Sequence, residues 1–510
     1  MQSVSNKLQR IARRAFYDYV LPMIKKKFPQ IEERFLVNIT SSVAYGVADQ
    51  YSDLDLFIIF EYHRDYEQFS KPLEAAINRI EFPKEFYTIC DKGVRFELES
   101  LRRSDISKIF YNPDSDKVWM HQTDWLMYWF LNAVTIYDPS KLSERFRNGR
   151  LFYPDHILES KIYFTILSMW SDYFSLRRKK SVFNYYSLKK VFRILSRALD
   201  IYYWFNKSYT PHPKWKYRLA VLTKKKYNYS VVLNYLDEVL NAVVNQDVTK
   251  ALNDIEELIN YWEKVANLAF TDRCSFVSKH KLMNINLGNQ DKYLVQNSLI
   301  DHKCFKKLKS CIYSGKNLLY PFELGHFHFN RRGYNYDIAM RISDHYRYLM
   351  RKKRDQSNYK IYENPNIKRK RFRYYNFVIW RKIRVVEKAL KRNDLFLYIW
   401  YCIQVIDCLF EVIFRLLGEF IPLNEDYAQV IKQKSSKYLQ IDKKLLEIAE
   451  GKELTDVLIK TENFASFCWK IYHYLQSIFL KEGFVNEREV QCPLDTQFEV
   501  EYWKYENLFL

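Results

Sequence analysis

Residues 35–60 constrain this chain more than any other stretch. Phe35 to Ile39 is a short apolar run that reads as a buried strand. A small-residue turn, Ser41-Ser42, follows it, and Val43 to Gly46 can form one helical turn that Gly46 closes. Asp53 to Phe60 then reads as a second strand that opens on two carboxylates. Residues two apart on a strand share a face, so Asp53 and Asp55 project together while Leu54 and Leu56 project the other way. Two carboxylates held on one face repel each other unless a cation lies between them. Oxygen ligands of this kind suit Mg²⁺, which binds through one or two carboxylates plus substrate phosphates.

The turn supplies the other half of a site. Backbone N–H groups and a hydroxyl at the start of a helix make a small anion site. A phosphate cradle facing a metal-binding carboxylate pair is the equipment for nucleotidyl or phosphoryl transfer. A strand–turn–strand with two solvated aspartates is the plainer alternative, and Asp-x-Asp alone would favour it.

The whole arrangement resembles the signature of the nucleotidyltransferase superfamily that includes DNA polymerase β and the aminoglycoside adenylyltransferases. That signature is a Gly-Ser turn, a short helix and a Ser-Asp-x-Asp strand. Ser42 matches the signature serine, and Ser52-Asp53-Leu54-Asp55 matches the carboxylate strand. The run Ala44-Tyr45-Gly46-Val47-Ala48-Asp49 resembles the small-molecule branch. The departure is Ser41, which stands where the family has glycine. In the superfamily a third acidic residue lies on a further strand between two apolar neighbours. Val94 to Ser100 alternates apolar and polar as a half-buried strand does. Phe96-Glu97-Leu98 fits the pattern best, with Glu99 on the same face as the fallback. The plainer reading of Glu97 is a salt-bridge residue on an edge strand.

The resemblance implies Asp53, Asp55 and Glu97 as the catalytic and metal-holding residues, Mg²⁺ as the cofactor and an NTP, ATP by default, as the substrate. It implies that Ser41, Ser42 and Ser52 border the nucleotide; Lys189 or Lys214 is a candidate to reach the triphosphate, with an ordinary solvated lysine as the plainer reading. The segment from Asn206 through Tyr209 and Pro211 to Lys214 and Trp215 also resembles one found beside the active site in small-molecule nucleotidyltransferases.

Length and charge divide the rest. The chain has 510 residues and a net charge of +21, yet residues 1–150 carry 22 Lys+Arg against 21 Asp+Glu. The remaining residues carry 59 against 39, so the front is near neutral and the rear is basic. Gly and Pro are few, 10 and 13, which favours long helices with short connections. The reading is an α/β nucleotidyltransferase domain with a small mixed sheet over 1–150, followed by mainly α-helical bundle domains. Its sheet-bearing part covers roughly residues 30–150 and ends on a last strand over Leu131–Asp138. A helical bundle over 151–270, a mixed basic connector over 271–375 and a second bundle over 376–510 follow. The second bundle echoes the first weakly, with Leu199-Asp200 and Ile406-Asp407 in similar places.

Residues 1–28 read as an amphipathic helix packed before the first strand, with a targeting sequence as the alternative. No signal peptide is expected. Leu395 to Leu423 is the most apolar long segment, but Gln404, Asp407, Glu411, Arg415 and Glu419 interrupt it, so a buried bundle helix and no membrane span are expected. The eight cysteines show no C-x-x-C pair, which fits reduced thiols in a cytoplasmic protein. His326 and His328 share a strand face but have no evident third ligand. Arg351 to Arg384 holds 13 Lys+Arg, with Tyr359, Tyr362, Phe372, Tyr374, Tyr375 and Trp380 interleaved. Such a mixture grips phosphates and stacks bases, so RNA contact is a possible role for it.

Three functions follow. The first is nucleotidyl transfer to a small hydroxylated acceptor. The second keeps the chemistry but uses an RNA end, as in a tRNA nucleotidyltransferase, held by the basic rear. The third is a degenerate nucleotide-binding domain kept for interaction.

Overall fold

The computed structural model describes residues 2–86, 94–100, 124–148, 152–179, 183–270, 282–286, 291–295, 317–319, 365–419, 421–422, 426–435, 439–452, 454 and 464–493. The chain is mostly helical, with a small mixed four-stranded sheet near its N-terminus. Contacts group it into two compact units, Met1–Ile157 with Tyr203–Asn228, and Leu158–Tyr202 with Tyr229–Leu510.

In the first unit, helix α1 (Gln2–Arg14) continues through a π-helical stretch (Ala15–Val20) into α2 (Leu21–Lys27). Strand β1 (Phe35–Ile39) leads to a single helical turn, α3 (Ser41–Ala44), and then to β2 (Leu54–Phe60). Helix α4 (His63–Ile77), β3 (Val94–Ser100), α5 (Asp124–Leu131), β4 (Val134–Tyr137) and α6 (Leu142–Asn148) follow. The sheet order is β3-β2-β1-β4, with β2–β3 parallel and the other pairs antiparallel.

Alternation along the strands sorts the two faces. Phe35, Val37 and Ile39 on β1, and Leu54, Leu56, Ile58 and Phe60 on β2, form one buried core with Leu8, Ile11, Ala12, Ala15 and Phe16 of the N-terminal helix. Tyr66, Phe69, Leu73 and Ile77 of α4 complete it. Burying each large apolar side chain contributes about 1.5–3 kcal/mol, so this face anchors the sheet. The N-terminal segment is therefore a packing helix of this core. The opposite face carries Asn38, Asp55, Phe57 and Glu97, and it positions the site.

Boundaries shift where local patterns are weak. The sequence between the second and third strands reads as a helix over Tyr66–Ile80, and α4 runs His63–Ile77. The last strand is confined to Val134–Tyr137, because the aromatic run before it forms α5, a helix that the sequence reading missed.

Helix α7 (Asp155–Lys179) and α8 (Tyr185–Phe205) lead towards α9 (Pro213–Thr223) of the first unit. The second unit adds the packed pair α10 (Val231–Val244) and α11 (Val248–Phe270), and a three-stranded sheet of β5 (Leu282–Asn286), β6 (Asp291–Val295) and β7 (Asn317–Leu319). Helices α12 (Pro365–Lys391), α13 (Leu395–Leu416), α14 (Tyr427–Lys434), α15 (Lys443–Ala449), α16 (Phe464–Lys481) and α17 (Glu487–Gln491) complete it. Among the described residues α13 is the one helix long and apolar enough to cross a membrane, and 89% of its most apolar window is buried within the protein.

Candidate functional site

The site is built where β1 turns into β2. Ser41 adopts φ +58, a left-handed conformation that costs an L-residue roughly 1–2 kcal/mol. The conformation is the one a glycine takes without strain, so Ser41 keeps the backbone that glycine would provide. Ser41 C=O accepts from Tyr45 N–H at 3.0 Å, and Gly46 at φ +72 ends the turn. Ser42 is buried, and its C=O accepts from Val47 N–H at 2.9 Å. Thr40 N–H donates to Asp55 C=O at 3.4 Å, which ties the start of α3 to the carboxylate strand.

Asp55 and Phe57 face the same side of the sheet, and the parallel register sets Glu97 opposite Phe57 on β3. Glu97 therefore shares the face of Asp55 and lies diagonally from it, one strand over. Asp53 stands immediately before β2. All three carboxylates are half-buried. Among the described residues no three His, Cys, Asp or Glu side chains group closely enough to hold a metal ion. The donor chemistry fits a two-carboxylate Mg²⁺ site at Asp53 and Asp55, with the remaining ligands drawn from substrate and water. Glu99's side chain lies outside the described residues.

The site face carries polar atoms without a partner. Asn38 Nδ2 and Oδ1 and Thr40 Oγ1 are buried and have no hydrogen-bond partner among the described residues. Asn38 pairs with Phe57 of β2, and Thr40 follows one residue after the Ile39–Leu56 pair, so both flank the carboxylate strand. Such atoms cost about 1–3 kcal/mol each, and folds tolerate them most readily near functional sites.

Helix α5 packs on this face. Trp129 of α5 packs edge-on against Phe57, with ring centres 4.7 Å apart. Tyr45 packs against Tyr128 at 5.2 Å, and Tyr128 against Tyr203 at 6.2 Å. Burial pushes the Tyr45 and Tyr128 phenols well above their ordinary range, so both stay neutral. Asp124, at the start of α5, accepts from Tyr153, Trp204 and Thr210 and so locks the segment leading to α9. Burial, with Asp124 second, also raises Tyr209.

Helix α9 is capped by His212, whose Nδ1 accepts from Lys214 N–H at 3.2 Å. Lys214 Nζ lies 4.9 Å from the centre of the Trp215 ring, and Trp215 Nε1 donates to Ser41 Oγ at 3.1 Å. Arg218 Nη1 donates to Asp49 Oδ2 at 3.4 Å. Ser52 is buried, and its hydroxyl donates to Asp49 Oδ1 at 3.1 Å, so it shapes the turn before Asp53. The sequence reading missed the roles of Asp49, Asp124 and Arg218. For Arg218 a signal existed, because it follows Trp215 by three residues and shares its helix face.

Lys189 belongs to the second unit, where Nζ donates to Asp407 Oδ1 at 2.7 Å. Its amine has a structural ion partner there. The basic stretch Arg351–Arg384 is described only from residue 365. Within it Phe372, Tyr374 and Tyr375 are buried, and Tyr375 donates to Glu411 at 3.0 Å. These rings are core, so the base-stacking surface expected of them is not formed by those three. Tyr359, Tyr362, His326 and His328 lie outside the described residues. Comparisons with protein-family models, curated proteins and solved structures found no significant match for this chain.

Proposed function

We propose that the chain is a Mg²⁺-dependent nucleotidyltransferase. It moves a nucleoside monophosphate from an NTP, ATP by default, to a hydroxyl of a small acceptor and releases pyrophosphate. The observation that carries this reading is the left-handed Ser41 turn running into β2, which opens on Asp53 and Asp55 with Glu97 on the same sheet face as Asp55.

Asp53 and Asp55 are the residues that would hold Mg²⁺. When bound, the ion neutralises triphosphate charge and polarises the α-phosphate. Ser42 and the backbone of the α3 turn border the phosphates, and Lys214 brings a cation to the same side through Trp215 and Ser41. Glu97 serves as general base. It accepts the proton of the acceptor hydroxyl, whose oxygen bonds to the α-phosphorus as the bond to pyrophosphate breaks. Asn38 and Thr40 add unmatched polar atoms beside this face, which favours a polar ligand.

The basic rear favours a second reading in which the acceptor is an RNA end. Residues 151–510 supply nearly all of the +21 net charge. RNA binding through that charge falls steeply with salt, whereas transfer to a small neutral acceptor does not.

The test is pyrophosphate release from each of four NTPs with Mg²⁺, against pools of small hydroxylated compounds and total RNA. Release that requires both aspartates and one pool supports the reading and identifies the acceptor class. No release from any pool, together with no Mg²⁺-dependent NTP binding, would falsify it.

A further inference from the structure

Helix α9 touches the turn-and-carboxylate segment at two places. Trp215 reaches Ser41, and Arg218 reaches Asp49. The two residues are three apart on one helix and leave the same face. The Arg218 guanidinium also lies 5.9 Å from the centre of the Trp215 ring, so the indole packs against the arginine that holds Asp49.

Asp49 organises the turn that leads into Asp53. Its Oδ1 accepts from Tyr51 N–H at 3.0 Å and from the Ser52 hydroxyl at 3.1 Å. Its own N–H donates to Ser52 Oγ at 3.0 Å, and its C=O accepts from Ser52 N–H at 3.0 Å. The next residue is Asp53. A single carboxylate is thus shared between the turn that delivers Asp53 and the arginine of α9. Both side chains are 18% exposed, so water competes poorly for either.

We infer that Arg218 is a positioning residue for the carboxylate pair. It fixes Asp49, Asp49 fixes the turn, and the turn sets where Asp53 stands beside Asp55. The seating of α9 thereby governs the divalent-cation affinity of the site. The cation part of this inference rests on the nucleotidyltransferase reading, while the clasp of α9 on the turn stands on its own contacts. Groups that orient metal-holding residues change metal affinity by about 10–100-fold when removed. A lysine offers a point charge in place of a planar fork, so it restores the function only in part.

The experiment uses the full chain and two readouts, backbone amide exchange over residues 49–56 and titration with Mn²⁺ in the presence of a non-hydrolysable ATP analogue. Arg218→Met and Asp49→Asn are each expected to speed exchange at the Tyr51 and Ser52 amides and to weaken Mn²⁺ binding about tenfold. The double variant should bind no worse than either single one, since both cut one chain of contacts. Arg218→Lys should recover part of the affinity. Mn²⁺ affinity that is unchanged in Arg218→Met overturns the inference and leaves the enzyme reading intact. Loss of analogue binding at saturating Mn²⁺ in Arg218→Met alone, with Asp49→Asn normal, also overturns it, because Arg218 then contacts phosphate directly. A wild-type protein that binds no Mn²⁺ with the analogue removes both the enzyme reading and the cation part. Unchanged exchange in Arg218→Met removes the clasp itself.

Discussion

Two groups of carboxylates in this chain have opposite surroundings. Asp53, Asp55 and Glu97 are half-buried, on or at the head of strands, with two of them on one sheet face. Asp407 and Glu411 are buried on α13 of the second unit. Asp407 accepts from Lys189 at 2.7 Å and from Tyr185, and Glu411 accepts from Tyr375 at 3.0 Å. Burial, followed by the charge of Asp407, pushes the Tyr185 phenol far above its ordinary range. A buried carboxylate has to be matched from within the fold, because removing an ion from water costs several kcal/mol. The half-buried Asp53 and Asp55 retain access to solvent, which is what the proposed cation site requires. Exposure, more than residue type, separates the structural carboxylates from the candidate catalytic ones.

The comparison breaks most directly at Asp53 and Asp55. Asp53→Ala/Asp55→Ala should reduce nucleotidyl transfer by about a thousandfold or more, roughly 4 kcal/mol of barrier, while thermal unfolding stays nearly unchanged. A matching loss of stability would make this pair structural, like Asp407. Lys189→Met should do the reverse. Stranding Asp407 is expected to cost about 3 kcal/mol in denaturant unfolding, with NTP affinity unaltered, and Lys189→Met/Asp407→Leu should recover much of it. Weakened NTP binding at normal stability would return Lys189 to the triphosphate.

Lys214→Ala probes the first unit more finely. Its expected effect is about a tenfold rise in KM for the NTP, near 1.4 kcal/mol, with kcat little changed. Trp215→Phe removes the bond to Ser41 and should cost about 1 kcal/mol of stability by chemical denaturation. Ser41→Gly loses the same bond but relieves the left-handed strain, so its net effect should stay within about 1 kcal/mol.

The smallest expected effect is at the sheet's far edge. Burial first, then Glu32, Glu33 and Tyr17, raise the Tyr137 phenol to about 12. Its hydroxyl donates to Glu32 C=O at 2.8 Å. A phenol raised in the folded state contributes stability that is complete below its ordinary pKa of about 10 and is lost as pH climbs through the folded value. Tyr137→Phe should therefore flatten the stability loss between about pH 10 and 12, with the effect reduced by solvent screening because the group is partly exposed.

Much of the first unit was legible locally. Strand β1 spans the residues expected of it, β2 begins one residue after Asp53, and β3 covers Val94–Ser100 as its alternation implied. The packing helix at the N-terminus followed from its amphipathic pattern, and the helical rear from the scarcity of Gly and Pro. The faces of Asp55 and Glu97 were readable because a strand's alternation is fixed by its backbone. Helix α5 was not, because a run of aromatic residues suits a buried helix and a buried strand equally well.

The sequence by itself determined which residues face together: the core side of β1 and β2, and the carboxylate side that carries the candidate chemistry. Only the tertiary structure decided what those faces meet. It put Ser41 into a left-handed turn and brought Trp215 to it across 174 residues, and Arg218 to Asp49 across 169. It matched Lys189 with Asp407 across 218 residues, and it buried Phe372, Tyr374 and Tyr375, whose burial the mixed basic and aromatic composition did not reveal. Periodicity reports the direction in which a side chain leaves the backbone. The partner waiting there depends on chain closure over long separations, which no local pattern encodes.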